Sequence, residues 1–251
     1  MNLVEKGSQT AKEGFKNEDD IVKKLNNWKK DKIAQSWLIL MKYKLSEIEF
    51  VEAVKLSANL GGKTDVQVQV TIKLKKAIDV ENLQVKLVSN PKGFNQIDKR
   101  WVDKYTEMWN IPLQVVSILK RFTGEEKPTI KKTKDKRRMF ANEFSEDEQK
   151  VVLKWLKKNQ SLIVSDILKG RGKFAAEWML VAQKINKNAR WVLKPMNFCM
   201  NYFGNGEIII TNRGSFRIGK ITMQRKGGDG GRNTANMLQF KINPAELFDE
   251  E

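Results

Sequence analysis

Hydrophobic and polar positions follow two different periods along this chain. Residues 18–31 (EDDIVKKLNNWKKD) place Ile21, Leu25 and Trp28 at i, i+4 and i+7, one apolar stripe, which predicts an amphipathic helix. Residues 34–42 (AQSWLILMK) predict a second, more apolar helix. The period then shortens. Residues 51–57 (VEAVKLS) read as a short strand, and 66–74 (VQVQVTIKL) alternate strictly, with Val66, Val68, Val70, Ile72 and Leu74 on one face. Residues 82–89 (NLQVKLVS) predict another strand with Leu83, Val85 and Leu87 on one side. Helical spacing returns at 96–110, and Ser145 to Glu148 has the form of a capping box opening a helix to about residue 159. Residues 161–168 are apolar. Residues 174–185 (FAAEWMLVAQKI) fit a helix or a strand equally. Segments 207–211, 216–225 and 237–242 read as strands separated by glycine-rich turns. The sum is an α/β chain with a central mixed sheet flanked by helices. We expect one domain over 1–251, with a catalytic half at 1–125 and a recognition-rich half at 126–251.

Composition narrows what such a fold does. Lys and Arg number 47 against 30 Asp and Glu, a net charge of +17, which favours a polyanionic partner over a neutral one. Residues 127–138 (KPTIKKTKDKRR) concentrate seven of these cations against one Asp; the run reads either as a mobile or DNA-facing loop or as a solvated surface. Histidine is absent, which excludes Ser-His-Asp and Cys-His catalysis and His-ligated zinc. The single Cys199 precludes an internal disulfide and fits a reducing cytoplasm. No apolar run resembles a signal peptide or a membrane span, so no membrane partner is expected. The seven tryptophans mostly sit in apolar helical patterns and read as core, not as base-stacking platforms. Phosphodiester chemistry here must rest on carboxylates, amides, lysines and an oxygen-liganded metal such as Mg²⁺.

Gln84-Val85-Lys86 suits that chemistry. Residues two apart on a strand share a face, so Gln84 and Lys86 point away from Leu83, Val85 and Leu87, toward a cleft. Asp65 opens the preceding long strand nineteen positions earlier and reaches the pair if the two strands pair. The Asp65 carboxylate and the Gln84 amide oxygen suit a hard cation, with the Val85 carbonyl as a third ligand. Lys86 is suited to orient the attacking water and to offset charge growing on the phosphorus centre. Standing alone, the same residues also read as the polar surface of a strand.

These residues resemble the PD-(D/E)XK nuclease motif. NLVEKGSQTAKEGFKNEDDI, NLQVKLVSNPKGFNQIDKRW, TKDKRRMFANEFS, DILKGRGKFAAEWMLVAQK and ITMQRKGGDGGRNTANMLQFKINPAELFD further resemble the HinP-type, MspI-related restriction endonucleases, in order and over nearly the whole chain. The resemblance implies the restriction-endonuclease-like fold. It also implies Mg²⁺-dependent hydrolysis of double-stranded DNA at GCGC, cut after the first G to leave 5′-phosphates. Thr64 stands where the motif names a proline, and Gln84 where it names Asp or Glu; the amide removes one negative charge from the metal site. By the same resemblance, Glu18 on the first helix is a metal-ligand candidate. Its alternative role is a first-turn carboxylate stabilising the helix N-terminus. A methyltransferase of the same specificity is the implied functional partner, and the acting species a monomer or weak homodimer. A nicking or repair endonuclease on the same fold, and a catalytically silent DNA-binding protein, remain the alternatives.

Sequence reading of DNA needs donors and acceptors on short, well-held segments. Residues 224–232 (QRKGGDGGR) supply Gln224, Arg225, Lys226, Asp229 and Arg232 among four glycines, or else form a flexible charged hairpin. Asn95, Gln96 and Lys99 follow the catalytic strand and are candidates for base or phosphate contacts near the cut. Arg213, Arg217, Lys220 and the loop at 131–138 suit phosphate contacts, which position without specifying.

Overall fold

The computed structural model describes residues 3–56, 67–90, 92–185, 188–228 and 231–249. In chain order the elements are α1 (Leu3–Asn26), α2 (Lys32–Leu40), β1 (Ile48–Leu56), β2 (Gln67–Leu74), β3 (Ile78–Val88), β4 (Asn95–Arg100), α3 (Val102–Trp109), α4 (Leu113–Thr123), α5 (Glu146–Lys158), α6 (Gln160–Leu168), β5 (Trp178–Ile185), β6 (Asn188–Pro195), α7 (Met196–Gly204), β7 (Ile208–Ile210), β8 (Phe216–Ile218), β9 (Ile221–Arg225) and β10 (Leu238–Ile242). The α/β class is as expected, but the strands divide between two five-stranded sheets, each in its own compact unit. Among the described residues no helix is long and apolar enough to cross a membrane.

The β3 unit comprises Ser8–Asn95, Lys169–Cys199 and Asn243–Glu251. Its sheet runs β1-β2-β3-β5-β6, antiparallel except where β3 lies parallel to β5, so this is the mixed sheet. One face carries Val51, Ala53, Val68, Val70, Ile72, Leu83, Val85, Leu180 and Leu193 against Ile21, Leu25 and Trp28 of the α1 region and Trp37 and Leu38 of α2. Each fully buried aliphatic side chain here contributes roughly 1.5–3 kcal/mol. The other face of β3 is also closed: Asn82, Gln84 and Lys86 are buried, as are Met179 and Val181, which pair with Gln84 and Lys86. A 3-10 turn at Pro244–Phe248 packs against β3, β5 and β6, with Arg190 over the Phe248 ring at 4.3 Å.

The β9 unit is built around Gln96–Leu168 and Met200–Ile242, with sheet order β4-β10-β9-β8-β7. Its core is aromatic. Tyr105 stacks on Trp109 with ring centroids 4.6 Å apart, and both meet Phe240 edge-on. The Trp109 indole N–H donates to buried Asp166 Oδ2 at 2.8 Å. Trp28, Trp37, Trp109 and Trp155 are all buried, in keeping with a core role for the tryptophans.

Two segments depart from the periodic reading. Residues 96–110 are not one helix: β4 occupies the first part and α3 starts only at Val102. Ile97 and Asp98 are consecutive and both fully buried, as a strand covered on both faces requires; the Asp98 charge is met by Arg100 Nε at 3.2 Å and the Tyr105 hydroxyl at 3.1 Å. The ambiguous 174–185 segment is β5. Met179 to Ala182 are all fully buried, and a strand covered on both faces loses its alternation. The expected 216–225 strand is two strands, split at Gly219, whose φ of 54° the turn needs. The basic run is not a loose loop. Asp135 bridges Arg138, Arg137 forks onto Asp135, and Lys134 N–H donates to Glu143 at 2.7 Å.

The entry to α2 is fixed by Asp31, which accepts from the N–H groups of Ile33 (2.9 Å) and Ala34 (3.0 Å) and pairs with Lys24 at 2.9 Å. Burial works to raise its pKa, but these donors outweigh it and hold the carboxyl below its ordinary value. Asp31→Ala should therefore lower unfolding free energy in urea by about 1–2 kcal/mol at neutral pH. Because the folded-state pKa is depressed, that contribution is full above the unfolded value and fades as pH falls through the folded one. The deficit of the variant should shrink in acid accordingly.

Candidate active site

The β2–β3 register pairs Gln67 with Gln84 and Gln69 with Asn82. Asn82, Gln84 and Lys86 therefore share one face, as the alternation predicts. That face is a buried polar stripe: Gln84 is fully buried and Lys86 is 8% exposed. Asn82 anchors it. Its amide accepts from Gln69 Nε2 at 3.0 Å and donates to the carbonyls of Lys173 and Ala175, while its backbone N–H donates to Glu177 at 2.9 Å. Val85 turns its side chain into the apolar core and pairs with Leu180 in the ladder. Asp65 and Thr64 lie outside the described residues.

Glu18 projects from α1 into a second polar site of the same unit. Lys55 Nζ lies 3.3 Å from Glu18 Oε2, 3.0 Å from Asp19 Oδ1 and 3.1 Å from the Phe15 carbonyl. The Glu18–Lys55 contact is an ion pair without hydrogen-bond alignment, so Glu18 Oε2 is buried and makes no hydrogen bond. Both side-chain polar atoms of neighbouring Asn17 are in the same condition. Burial pushes the Glu18 carboxyl up to about 7, although Lys55 and, more weakly, Lys86 pull it down. Strand alternation puts Lys55 on the α1 side of the sheet, with Val51 and Ala53, whereas Gln84 and Lys86 occupy the other face.

The chemistry of this donor set fits a hard cation. The Glu18 carboxylate, whose buried Oε2 has no hydrogen bond, and the buried Gln84 amide are the donor types a hard divalent ion takes, while the Lys55 ammonium beside Glu18 competes with such an ion. Among the described residues no group of three His, Cys, Asp or Glu side chains converges to hold a metal. Lys55 and Asn17 were not singled out from sequence. A signal for Lys55 existed: in VEAVKL the core-facing positions are Val51, Ala53 and then Lys55, a charge where the pattern asks for an apolar residue.

The other sequence-predicted residues lie on β4 and β9. Asn95 and Lys99 are half-buried on one face of β4, and Gln96 points the opposite way, its Oε1 accepting from Gln239 Nε2 at 2.6 Å. Gln224 faces Gln239 across the β9–β10 ladder, and Arg225 faces Leu238. The Lys226 N–H donates to the Met237 carbonyl, and the exposed Arg232 opens the 3-10 turn before β10. Asp229 lies outside the described residues. Arg213, Arg217 and Lys220 are exposed, with Lys220 Nζ over the Tyr202 ring at 3.5 Å. Asn236, which holds Arg225, gave no sequence signal, because only the strand register brings the two together.

Glu18 makes a stability prediction. Its folded-state pKa of about 7 exceeds the ordinary 4.5, so the native state holds that proton more tightly and stability falls as pH rises between those values. By linkage the loss amounts to about 3 kcal/mol at pH 8. In metal-free buffer, Glu18→Gln should melt higher than the parent at pH 8 and level with it near pH 4.5. A parent that loses no stability between those pH values contradicts the buried-carboxylate assignment.

Comparison with known proteins identifies the fold and the family. No curated protein sequence matches the chain. Among solved structures, restriction endonuclease MspI in complex with its cognate DNA is similar, with a TM-score of 0.64 at 14% identity, covering 96% of this chain and 93% of that one. That likeness shows the fold. The R.HinP1I restriction endonuclease profile matches residues 41–248, a span that includes β1 to β10. The chain belongs to the R.HinP1I restriction endonuclease family, and it is a type II site-specific deoxyribonuclease.

Proposed function

We propose that the chain hydrolyses one phosphodiester bond in each strand of double-stranded DNA at GCGC, after the first G, with Mg²⁺, leaving 5′-phosphates. The observation that carries this reading is the buried polar face of β3, where the Gln84 amide and the Lys86 ammonium stand two residues apart, aligned with Met179 and Val181 of β5. A divalent cation is the general requirement of this class of nuclease, and Mg²⁺ is the ion its oxygen donors suit. Asp65, the Gln84 amide and the Val85 carbonyl would hold it, and Glu18, on the α1 side of the sheet, would add its negative charge from there; when bound, it acidifies water and neutralises phosphate charge. Asp65 precedes Gln67, the ladder partner of Gln84, by two residues. Lys86 orients the attacking water and offsets the negative charge that grows on the phosphate oxygens, a task for which its water-poor surroundings strengthen it. Gln84 supplies an oxygen but no charge, so it lowers metal affinity relative to a carboxylate.

The whole of 1–251 acts as one endonuclease. Asn95, Gln96, Lys99, Gln224, Arg225, Lys226, Asp229 and Arg232 contact the DNA. The enzyme works in the cytoplasm as a monomer or weak homodimer, and its host protects the same site with a separate methyltransferase.

Two substitutions test the assignment on a GCGC duplex. Lys86→Ala should lose about 10²–10³-fold in single-turnover rate while binding the duplex as the parent does. An unchanged rate removes Lys86 from the chemistry. Gln84→Glu should lower the Mg²⁺ concentration giving half-maximal rate, because it adds a negative charge to the ligand set. A raised requirement removes Gln84 from that set.

A further inference from the structure

The β9 unit contains a concentration of positive charge that catalysis does not use. A cavity of about 460 Å³ is lined by Lys127, Lys136, Arg137, Arg225 and Arg232, with Asn236 among them. None of its described lining side chains is acidic. Five cations around one cavity repel one another; Asp135, paired with Arg137, offsets part of that charge, and an entering anion would offset more.

Arg225 and Arg137 are held in place. Arg225 Nε and Nη2 both donate to Asn236 Oδ1, at 3.2 and 2.7 Å. Arg137 Nε and Nη2 donate to the two oxygens of Asp135 at 2.9 and 3.0 Å. Arg138 lies over the Phe140 ring, 4.0 Å from its centroid, and its Nε is buried without a hydrogen bond. Burial, Arg225 and Arg137 all disfavour the charged form of Arg138. The backbone is shaped for close approach as well. Gly124 has φ 87°, and a Cβ there would come within 2.8 Å of the Arg137 carbonyl oxygen. Gly228 and Gly231, with φ of 62° and 85°, also line the cavity, and a Cβ at either would meet nothing within 4 Å.

This geometry favours one kind of ligand. With its Nε–Nη2 edge tied to Asn236, Arg225 presents Nη1 and the remaining Nη2 hydrogen end-on. A base edge offers donors and acceptors in one plane and is read by one or two side chains. Converging cations and open glycines match a tetrahedral oxyanion instead. We infer that this cavity is a phosphodiester clamp that grips a backbone phosphate of the DNA, with Arg225 in contact and Asn236 and Asp135 as positioning residues for Arg225 and Arg137. The inference rests on the endonuclease reading and deepens it: Arg225 and Arg232 then locate the duplex instead of reading its bases.

Fluorescence anisotropy of the full chain tests this, in Ca²⁺ without Mg²⁺, on a GCGC duplex and on one lacking the site, across a salt series. Arg225→Ala should weaken binding by the same factor on both duplexes and reduce the log–log salt slope by about 0.9, one phosphate contact. Arg225→Lys, which keeps the charge, should keep the slope. Asn236→Asp hands Arg225 a carboxylate and should lower the slope as Arg225→Ala does. Loss confined to the GCGC duplex with an unchanged slope overturns the clamp and makes Arg225 a base reader. A parental slope in Asn236→Asp overturns the role of Asn236. Inorganic phosphate separates a free-anion site from a DNA clamp: it should raise the melting temperature of the parent and not of Arg225→Ala. Stabilisation by phosphate with an unchanged DNA slope in Arg225→Ala overturns the clamp. Parent chain that binds both duplexes equally and cuts neither sinks the endonuclease reading, a result distinct from all of these.

Discussion

Strand β3 is buried on both faces, and yet every second residue along its end is polar. Burying an unpaired amide or ammonium costs several kcal/mol, so a strand of this composition is stable only where each polar group has a defined counterpart. Asn82 shows how the requirement is met: four hydrogen bonds fix it to β2 and to the segment entering β5. That anchor sets the register at Gln67–Gln84 and, through the parallel ladder, the alignment of Lys86 with Val181. The position of the catalytic candidates is thus a consequence of pairing and burial, not of a flexible loop, and a rigid element is where a reacting group is held most accurately.

Charge in the β3 unit follows the same logic. Glu18 is kept in a place that disfavours its ionised form, next to Lys55 and within the field of Lys86. A carboxylate destabilised by its own surroundings is a poor structural element and a ready ligand for a cation. The Glu18–Lys55 pair therefore holds a carboxyl group that takes up a proton more readily than an exposed one. The arginines around the cavity of the β9 unit present the opposite condition, an excess of positive charge awaiting an anion.

Much of this was legible in the sequence, for definite reasons. Half-buried β2 kept its alternation, and the orientation of Gln84 and Lys86 opposite Leu83 and Val85 followed from that period. β5 did not, because Met179 to Ala182 are covered on both sides and carry no period. β4 was hidden for a related reason: adjacent Ile97 and Asp98 are both buried, a pair that reads as helix. The strands also form two sheets, which no local pattern reveals. At the site, the identity of the residues was readable and their relations were not. Lys55 was visible as a charge on a core-facing position, but its partner Glu18 lies 37 residues earlier, and the pairing of Arg225 with Asn236 depends on the β9–β10 register.

The central claim is that this chain cleaves DNA with Mg²⁺ at one sequence, with Gln84 and Lys86 in its catalytic centre. The most direct measurement is to digest a plasmid of known sequence with purified chain and Mg²⁺ and to sequence the ends. The account predicts breaks after the first G of each GCGC and nowhere else, with 5′-phosphates on the fragments. Intact plasmid, or ends scattered without regard to GCGC, would contradict it.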